Sequence, residues 1–323
     1  MSSSKTNPTS SFLAPDTLMR VKQLELRAKM VVEGFMSGLH RSPYHGFSVE
    51  FTDYRQYSPG DDLRYLDWKL LARRDREYIK RFEDETNLRC YLLFDLSRSM
   101  GFGSLEYSKF EYARTMAASL AWFFNRQRDA VGLMTFAESV EALVPPRYRS
   151  GHLRRLMLTL ETSTTGKSTD LGRPLEQIAQ TVSKRSMVIL ISDLLTPIDN
   201  LKQKLGYLRA RGHDVVLMRI LDPAEINFDF SNASMFHDLE TGQQLYVDPA
   251  TVAADYKKRF EDHAESVASI CQSSGIDYFL VRTDEPVEQG LINLVQNRAE
   301  KSGGQQIRQQ NSAVAIAQSG GPA

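Results

Sequence analysis

The chain has 323 residues, of which 25% are charged, with 40 Lys and Arg against 40 Asp and Glu. This length exceeds that of a usual single domain but fits one large α/β domain with an added segment. The balanced charge excludes a global field that would draw the protein to nucleic acid or to an anionic membrane, so any such contact must be local.

The sequence predicts neither a signal peptide nor a membrane span. The first residues, MSSSKTNPTSSFLAPD, contain no apolar stretch of signal-peptide length, and aliphatic runs such as MVILI at 187–191 are too short to cross a bilayer. Cys90 and Cys271 lie far apart in apolar surroundings without metal-ligand spacing, which predicts buried free thiols in a reducing compartment. Together these features predict a cytoplasmic protein.

The distribution of residue types predicts four segments. Residues 1–14 and 301–323 lack periodic apolar content, which predicts disordered tails. Residues 15–87 are dense in Arg, Asp, Glu and Tyr, and we expect them to form a small N-terminal accessory layer packed on the core. Residues 88–300 have a globular composition and are predicted to be the core domain.

The accessory segment contains three short patterns. SPGDD at 58–62 predicts a turn. LRYLDWKLLARR at 63–74 predicts a short helix, and EYIKRFE at 77–83 alternates like a strand. Such a strand would be able to run beside residues 90–94 of the core.

The charged residues of this segment permit two interpretations. In the first, they form an ion-paired clasp between the accessory layer and the core, over Trp68. In the second, Arg side chains interleaved with Tyr54, Tyr57 and Tyr65 bind nucleic acid, although the neighbouring acids weaken this interpretation. The clasp would use Asp61, Asp62, Arg64, Asp67 and Arg73, and the nucleic-acid surface would use Arg55, Arg64, Arg73, Arg74 and Arg76.

Short apolar runs alternate with helical patterns throughout the core. The runs are CYLLF at 90–94, VGLMTF at 131–136, MVILI at 187–191, VVLMRI at 215–220 and YFLV at 278–281. Near-continuous apolar strands separated by helices predict a doubly wound, Rossmann-like α/β domain, with a mostly parallel sheet covered on both faces. Residues 139–146, SVEALVPP, predict a short edge strand that the prolines end.

The main functional signal follows the first core strand, in LLFDLSRSMG at 92–101. In an open α/β sheet, ligands bind outside the carboxyl ends of the strands, and Asp95, Ser97 and Ser99 fall there. Their spacing by two places the three side chains on one turning loop. A carboxylate and two hydroxyls are hard oxygen donors, which suit Mg²⁺ or Mn²⁺ better than metals that prefer sulfur or imidazole.

Residues 163–171, STTGKSTDL, look like the tail of a phosphate-binding loop. Such a loop needs an upstream strand and a glycine at the place where this chain has Glu161, and the upstream residues show helical spacing instead. Thr169 is therefore predicted to supply a hydroxyl to the metal and not to bind a nucleotide. Asp193 follows MVILIS at another strand's carboxyl end, so all three loops can converge at one edge of the sheet.

Three motifs, DLSRS at 95–99, STDLGRPL at 168–175 and ISDL at 191–194, occur in this order on alternating α/β elements. They resemble the metal-ion-dependent adhesion site of von Willebrand factor A domains, and the resemblance covers about residues 88–300. The upstream YSPGDDLRYLDWKLLARRDREYIKRFEDE resembles the signature of a bacterial family, domain of unknown function fifty-eight, which extends the match to about residue 45. Members of that family are typically associated with MoxR-type AAA+ ATPases, and the resemblance implies such a partner.

The adhesion-site resemblance also implies a set of metal ligands. Ser97 and Ser99 would bind the metal directly, and Asp95, Thr169 and Asp193 directly or through water. Because two carboxylates balance one divalent cation, a water-occupied position remains that an Asp or Glu of a partner can take. We therefore expect a metal-dependent protein-binding adaptor that works with a MoxR-type AAA+ ATPase in assembly or remodelling of protein complexes. It would have no catalysis of its own and no nucleic-acid partner.

Other interpretations of the same residues stay open. Asp95 and Asp193 would be structural if each capped the helix that follows it. A Mg²⁺-dependent phosphohydrolase using both carboxylates would need a nucleophile or a metal-bound hydroxide that the sequence does not identify. A nucleic-acid binder would use the basic and aromatic residues of the accessory segment.

Overall fold

The computed structural model describes residues 14–39, 54–56, 78–80, 88–166, 172–182, 184–228, 234–237 and 244–298. The helices in these ranges are α1 (Pro15–Met19), α2 (Leu24–Leu39), α3 (Lys109–Arg126), α4 (His152–Thr162), α5 (Gly172–Thr181), α6 (Ile198–Ala210), α7 (Pro223–Asn227), α8 (Pro249–Ser274) and α9 (287–298). The strands are β1 (Tyr54–Gln56), β2 (Tyr78–Lys80), β3 (Arg89–Asp95), β4 (Ala130–Phe136), β5 (Val140–Arg147), β6 (Met187–Ser192), β7 (Asp214–Leu221), β8 (Ser234–His237), β9 (Gln244–Val247) and β10 (Asp277–Arg282).

A six-stranded sheet with the order β10-β7-β6-β3-β4-β5 forms the centre of the fold. Its strands pair in parallel except for β5, which runs antiparallel to β4. In the register of the middle strands, Leu92 lies beside Leu133 on one side and Ile189 on the other. All five apolar runs form strands of this sheet, which confirms the predicted α/β class and the mostly parallel sheet.

Helices cover both faces of the sheet, and each face has its own apolar cluster. One cluster joins the sheet to α1, α2, α3, α4 and α9 through residues such as Phe94 and Met116. The other joins it to α5, α6 and α8 through residues such as Leu190 and Leu205. Each of these fully buried side chains contributes about 1.5–3 kcal/mol. The continuous apolar strands of the sequence are explained by this burial on both sides.

The N-terminal helix α2 packs against α3 and belongs to the first cluster. The Phe35 and Phe123 rings meet edge to face with centroids 5.5 Å apart. Arg27 is buried between the two helices, and its guanidinium lies 3.6 Å from the Glu111 carboxylate. This part of the segment before β3 is therefore built into the core of the sheet domain.

The predicted pairing of residues 77–83 with 90–94 is wrong. Residues Tyr78–Lys80 form β2, which pairs antiparallel with β1 in a separate two-stranded sheet. A further strand cannot pair with β3 because β4 and β6 occupy its two sides. The predicted turn at 58–62, the helix at 63–74, the charged clasp and most of both tails lie outside the described residues.

The edge strand β5 lies where it was predicted, but the prolines do not end it. Pro145 and Pro146 lie inside β5, which continues to Arg147. An edge strand tolerates proline because its outer backbone groups have no ladder partner to lose. The register of β4 and β5 also shifts between Val131 and Leu133, close to these prolines.

Two further predictions can be compared with the described residues. Cys90 in β3 and Cys271 in α8 are free and buried, which confirms the prediction, and burial raises the pKa of both thiols. Within the described ranges, no helix is both long enough and apolar enough to cross a membrane.

Candidate metal site

The loop after β3 brings Asp95, Ser97 and Ser99 together, as their spacing predicts. Asp95 ends the strand and is fully buried, and its Oδ1 accepts a hydrogen bond of 2.8 Å from the Ser97 backbone N–H. The Ser97 and Ser99 hydroxyl oxygens lie 3.0 Å apart. A short 3₁₀ turn, Ser99–Gly101, then leads away from the sheet. One carboxylate and two hydroxyls are thus gathered on a single turn.

The neighbouring strand β6 adds a second carboxylate at the same edge. Its last residue, Ser192, donates a hydrogen bond of 2.5 Å from its hydroxyl to Asp95 Oδ2, and Asp193 follows with 2% of its surface exposed. Burial and, after it, the charge of Asp193 raise the pKa of Asp95 to about 7, although bonds from Ser192 and Ser97 lower it. Two acids held in one buried place repel each other, which is a condition that a divalent cation relieves.

Neither acid caps the helix that follows it. Ser108 caps α3, where its hydroxyl accepts from a backbone N–H of the first turn at 3.3 Å. Pro197 stands at the cap of α6, which has no side-chain cap bond. Asp193 instead accepts a 3.3 Å bond from Leu195 N–H on Oδ1, within its own loop. The capping interpretation of Asp95 and Asp193 is therefore wrong for these two helices.

The segment that leads to Thr169 starts against the Asp95 loop. Arg98 Nε donates a 2.7 Å hydrogen bond to the Gly166 carbonyl oxygen. A Cβ added to Gly101 would lie 3.2 Å from Thr165 Oγ1, which shows how closely the two loops approach. The segment leaves helix α4 and not a strand, as predicted. Thr169 itself lies outside the described residues, so its part in the site stays a prediction.

A lysine that the sequence reasoning missed lies beside Asp193. Lys109 is fully buried at the start of α3, and its Nζ donates to Asp193 Oδ2 at 2.8 Å and to Glu225 Oε1 at 2.6 Å. Burial lowers the Lys109 pKa, but the two acids outweigh burial and the net shift is upward. The pKa of Glu225 is also raised, because its burial outweighs the effect of Lys109. One charged ammonium thus serves two carboxylates.

Glu225 connects this lysine to the end of β7. Its Oε2 accepts from the Asp222 backbone N–H at 3.0 Å, as part of the capping box of α7. The buried Asp222 carboxylate in turn accepts from the Ser104 hydroxyl at 2.5 Å and from the Ser104 N–H at 2.9 Å. The network therefore returns to the segment that follows the Asp95 loop.

A buried arginine contacts the backbone of Asp193, whereas Lys109 contacts its carboxylate. Arg219 of β7 is fully buried, and its Nε donates to the Asp193 carbonyl oxygen at 3.1 Å. Its Nη2 lies 3.2 Å from His263 Nδ1, and His263 Nε2 lies 3.3 Å from the Thr196 carbonyl oxygen. These partners assign Nδ1 as the acceptor and Nε2 as the donor of a neutral ring. Burial lowers the His263 pKa, which agrees with that assignment.

The donors at this edge fit a small divalent cation. Carboxylate and hydroxyl oxygens are the hard ligands that Mg²⁺ and Mn²⁺ prefer. No group of three or more His, Cys, Asp or Glu able to hold a metal occurs in the described part of the chain. The four described members of the predicted site are two acids and two serines. Because two of these four donors are serine hydroxyls, the set is not such a group of three acids, histidines or cysteines.

Comparison with known proteins places the chain among uncharacterized relatives. The family described as "Protein of unknown function DUF58" matches residues 53–266. An uncharacterized protein of Mycobacterium tuberculosis is 26% identical over 289 residues, covering 88% of this chain and 90% of that protein. An uncharacterized protein of Mycobacterium avium is 28% identical over 154 residues, covering 47% of this chain and 89% of that protein.

Among solved structures, the conserved hypothetical protein BatB from Bacteroides thetaiotaomicron aligns with a TM-score of 0.46 at 13% identity. The alignment covers 66% of this chain and 99% of that chain. An aerotolerance-related membrane protein from Bacteroides fragilis aligns with a TM-score of 0.45 at 16% identity, covering 66% of this chain and 99% of that chain. Likeness at this level says nothing about what this protein does.

Proposed function

The chain belongs to the DUF58 family of proteins of unknown function, and we propose that it is a metal-dependent protein-binding adaptor without catalysis of its own. Its partner would present an acidic residue to a divalent cation, Mg²⁺ or Mn²⁺, at the carboxyl edge of the sheet. The family resemblance names a MoxR-type AAA+ ATPase as the first partner to test, in assembly or remodelling of protein complexes in the cytoplasm.

One observation carries the proposal. Asp95, Ser97, Ser99 and Asp193 lie at the ends of two neighbouring strands. Asp95, Ser97 and Asp193 are buried, the Ser97 and Ser99 hydroxyl oxygens lie 3.0 Å apart, and burial together with the charge of Asp193 raises the pKa of Asp95. Their order and type resemble the metal-ion-dependent adhesion site of von Willebrand factor A domains. A helix cap or a surface ion pair would not need a pair of facing serine hydroxyls beside two buried acids.

Each residue has a role in such a site. Ser97 and Ser99 would hold the cation directly, and Asp95, Thr169 and Asp193 directly or through water. The bound cation supplies a coordination position for an outside carboxylate. Ser192 holds Asp95 in place by its 2.5 Å hydrogen bond, and Arg219 holds the backbone of Asp193. These two hydrogen bonds would keep the ligands in place for a bound cation.

An exposed apolar side chain follows Asp193 closely in the chain. Leu195, two residues after Asp193, keeps 48% of its surface exposed although it is a large aliphatic side chain. Its backbone N–H donates a 3.3 Å hydrogen bond to Asp193 Oδ1, which ties the backbone of Leu195 to the Asp193 loop. A partner that offers one acidic residue and an apolar neighbour would match both features.

Affinity capture tests the proposal. The tagged chain is incubated with lysate of the cell that makes it, in Mg²⁺ or in EDTA, beside the Ser97→Ala variant. We expect a MoxR-type ATPase, or a protein that this ATPase remodels, to be retained only by the wild type in Mg²⁺. Retention that is equal in EDTA, or equal with the variant, would contradict a metal-bridged contact.

A further inference from the structure

The buried Lys109 beside the site suggests how the charge of Asp193 is balanced when no divalent cation is bound. We propose that Lys109 is an internal counter-cation for Asp193, which competes with the divalent cation and moves towards Glu225 when the cation binds. This inference rests on the proposed metal site and describes its regulation. Its consequence is a site that stays folded when empty and holds its metal loosely enough to exchange it.

Lys109 has two carboxylate partners, and its ammonium contacts both at the same time. Its Nζ contacts carboxylates from two different elements, Asp193 after β6 at 2.8 Å and Glu225 in α7 at 2.6 Å. The side chain is fully buried, so water cannot replace either partner easily. Because Glu225 already accepts a bond from Lys109, leaving Asp193 would not strand the ammonium.

Asp193 is the ligand that the lysine would have to share. Its Oδ2 is engaged by Lys109, whereas the bond of Oδ1 with Leu195 N–H is longer, at 3.3 Å. A divalent cation that is held by Asp95, Ser97 and Ser99 and also approaches Asp193 would repel the Lys109 ammonium from the Asp193 carboxylate. Metal binding and the bond between Lys109 and Asp193 are therefore expected to oppose each other.

The charges around the site agree with one added divalent cation. When all four carboxylates are ionised, which for Asp95 requires a pH above about 7, four negative charges face two buried cations, and the formal sum is minus two. One divalent cation would bring this sum to zero. Without it, the two internal cations are the only ones among these six groups. The six are Asp95, Asp193, Asp222, Glu225, Lys109 and Arg219.

The position of Lys109 is unusual for a purely structural lysine. It is the first residue of α3, where the positive end of the helix dipole disfavours a cation. Full burial also removes the water that would hydrate its charge, which is why lysines are almost never fully buried unless they are paired. Its two carboxylates offset both costs, which ties the residue to the site.

Calorimetric titration with MgCl₂ alone tests the competition, and two variants are expected to move the affinity in opposite directions. Lys109→Met keeps the length of the side chain but removes the charge, so we expect Mg²⁺ to bind at least ten times more tightly. Glu225→Gln removes the second negatively charged partner of Lys109. The lysine then stays on Asp193, so Mg²⁺ is expected to bind at least several times more weakly. Lys204→Met, which removes the lysine paired with Glu176 between α5 and α6, is the matched control and should leave the affinity unchanged.

The metal-free protein provides a second readout. In EDTA, Lys109→Met leaves two acids unpaired, so its melting temperature is expected to fall below that of the wild type, and Mg²⁺ should raise it by more degrees than in the wild type. If this variant fails to fold in EDTA, Glu225→Gln keeps the inference testable, because Gln can still accept the bond from Asp222 in the capping box.

The outcomes separate this inference from the proposed function. Mg²⁺ binding that Ser97→Ala abolishes but Lys109→Met and Glu225→Gln leave unchanged would reject the role of Lys109 and keep the metal site. Weaker binding in Lys109→Met would also overturn the competition. Failure of the wild type and of every variant to bind Mg²⁺ would reject both proposals.

Discussion

Replacement of Asp95 by asparagine is expected to stabilise the metal-free protein and to remove its response to Mg²⁺. Asparagine keeps the shape of the side chain and removes its charge. The pKa of Asp95 rises from its ordinary value of 3.8 to about 7, because of burial and of the neighbouring Asp193. A tenfold change in proton affinity corresponds to about 1.4 kcal/mol, so the ionised carboxylate costs the folded protein about 4 kcal/mol above neutral pH.

The sign of the pH dependence follows from the direction of this shift. Between about pH 4 and pH 7 the folded protein binds a proton on Asp95 that the unfolded chain has already lost. The contribution of Asp95 to the free energy of unfolding is therefore greatest at low pH and falls as the pH rises through this window. Asparagine removes the dependence but disturbs the bond from Ser192, which costs about 1 kcal/mol.

Urea denaturation of wild type and Asp95→Asn in EDTA measures the effect, since the difference between the two proteins isolates this residue. We expect the variant to be more stable by about 3 kcal/mol at pH 8 and less stable by about 1 kcal/mol at pH 4. Mg²⁺ at a hundred times its dissociation constant should add about 2.7 kcal/mol to the wild type and nothing to the variant. A variant that is no more stable at pH 8, or that gains as much from Mg²⁺, would refute the reasoning.

Three other predictions concern the scaffold and the rival function. Ser108→Ala should lower the free energy of unfolding by about 1 kcal/mol in urea, since it removes the cap of α3; an unchanged midpoint would mean that this cap is not formed in solution. Gly132→Ala should cost roughly 1–3 kcal/mol because its Cβ would lie 2.8 Å from the Val144 carbonyl oxygen, whereas Gly206→Ala in α6 meets no atom within 4 Å and should gain up to about 1 kcal/mol. The reverse order in thermal melts would contradict the packing described for β4 and β5. In Mg²⁺, the wild type should hydrolyse a generic phosphate ester no faster than Asp95→Asn does. Hydrolysis by the wild type that is lost in Asp95→Asn would favour a phosphohydrolase.

The sheet could be predicted from the sequence because its strands are buried on both faces. Runs such as MVILI at 187–191 must lie in a covered sheet, and the helices between them set a parallel order. The neighbour of residues 77–83 could not be predicted in this way. Which strand pairs with which depends on the free edges of the finished sheet, and β3 has none.

The ligands of the candidate site could be proposed from the sequence, but the charges that serve them could not. Asp95 and Asp193 follow apolar strands directly, so their place at the sheet edge follows from topology. Lys109 reaches Asp193 from a helix start 84 residues earlier, and no local pattern indicates such a contact. Two signals were present: a lysine where the helix dipole disfavours it, and Arg219 as a single charge inside the apolar run VVLMRI.

The most direct test of the account measures binding between two purified proteins. A MoxR-type ATPase from the same cell is immobilised without nucleotide, so that its own need for Mg²⁺ with ATP does not enter. Wild type and Ser97→Ala are then passed over it in Mg²⁺ and in EDTA. The account predicts binding by the wild type in Mg²⁺ and none in the other three conditions. Equal binding in EDTA, or equal binding by Ser97→Ala, would contradict a contact made through the metal.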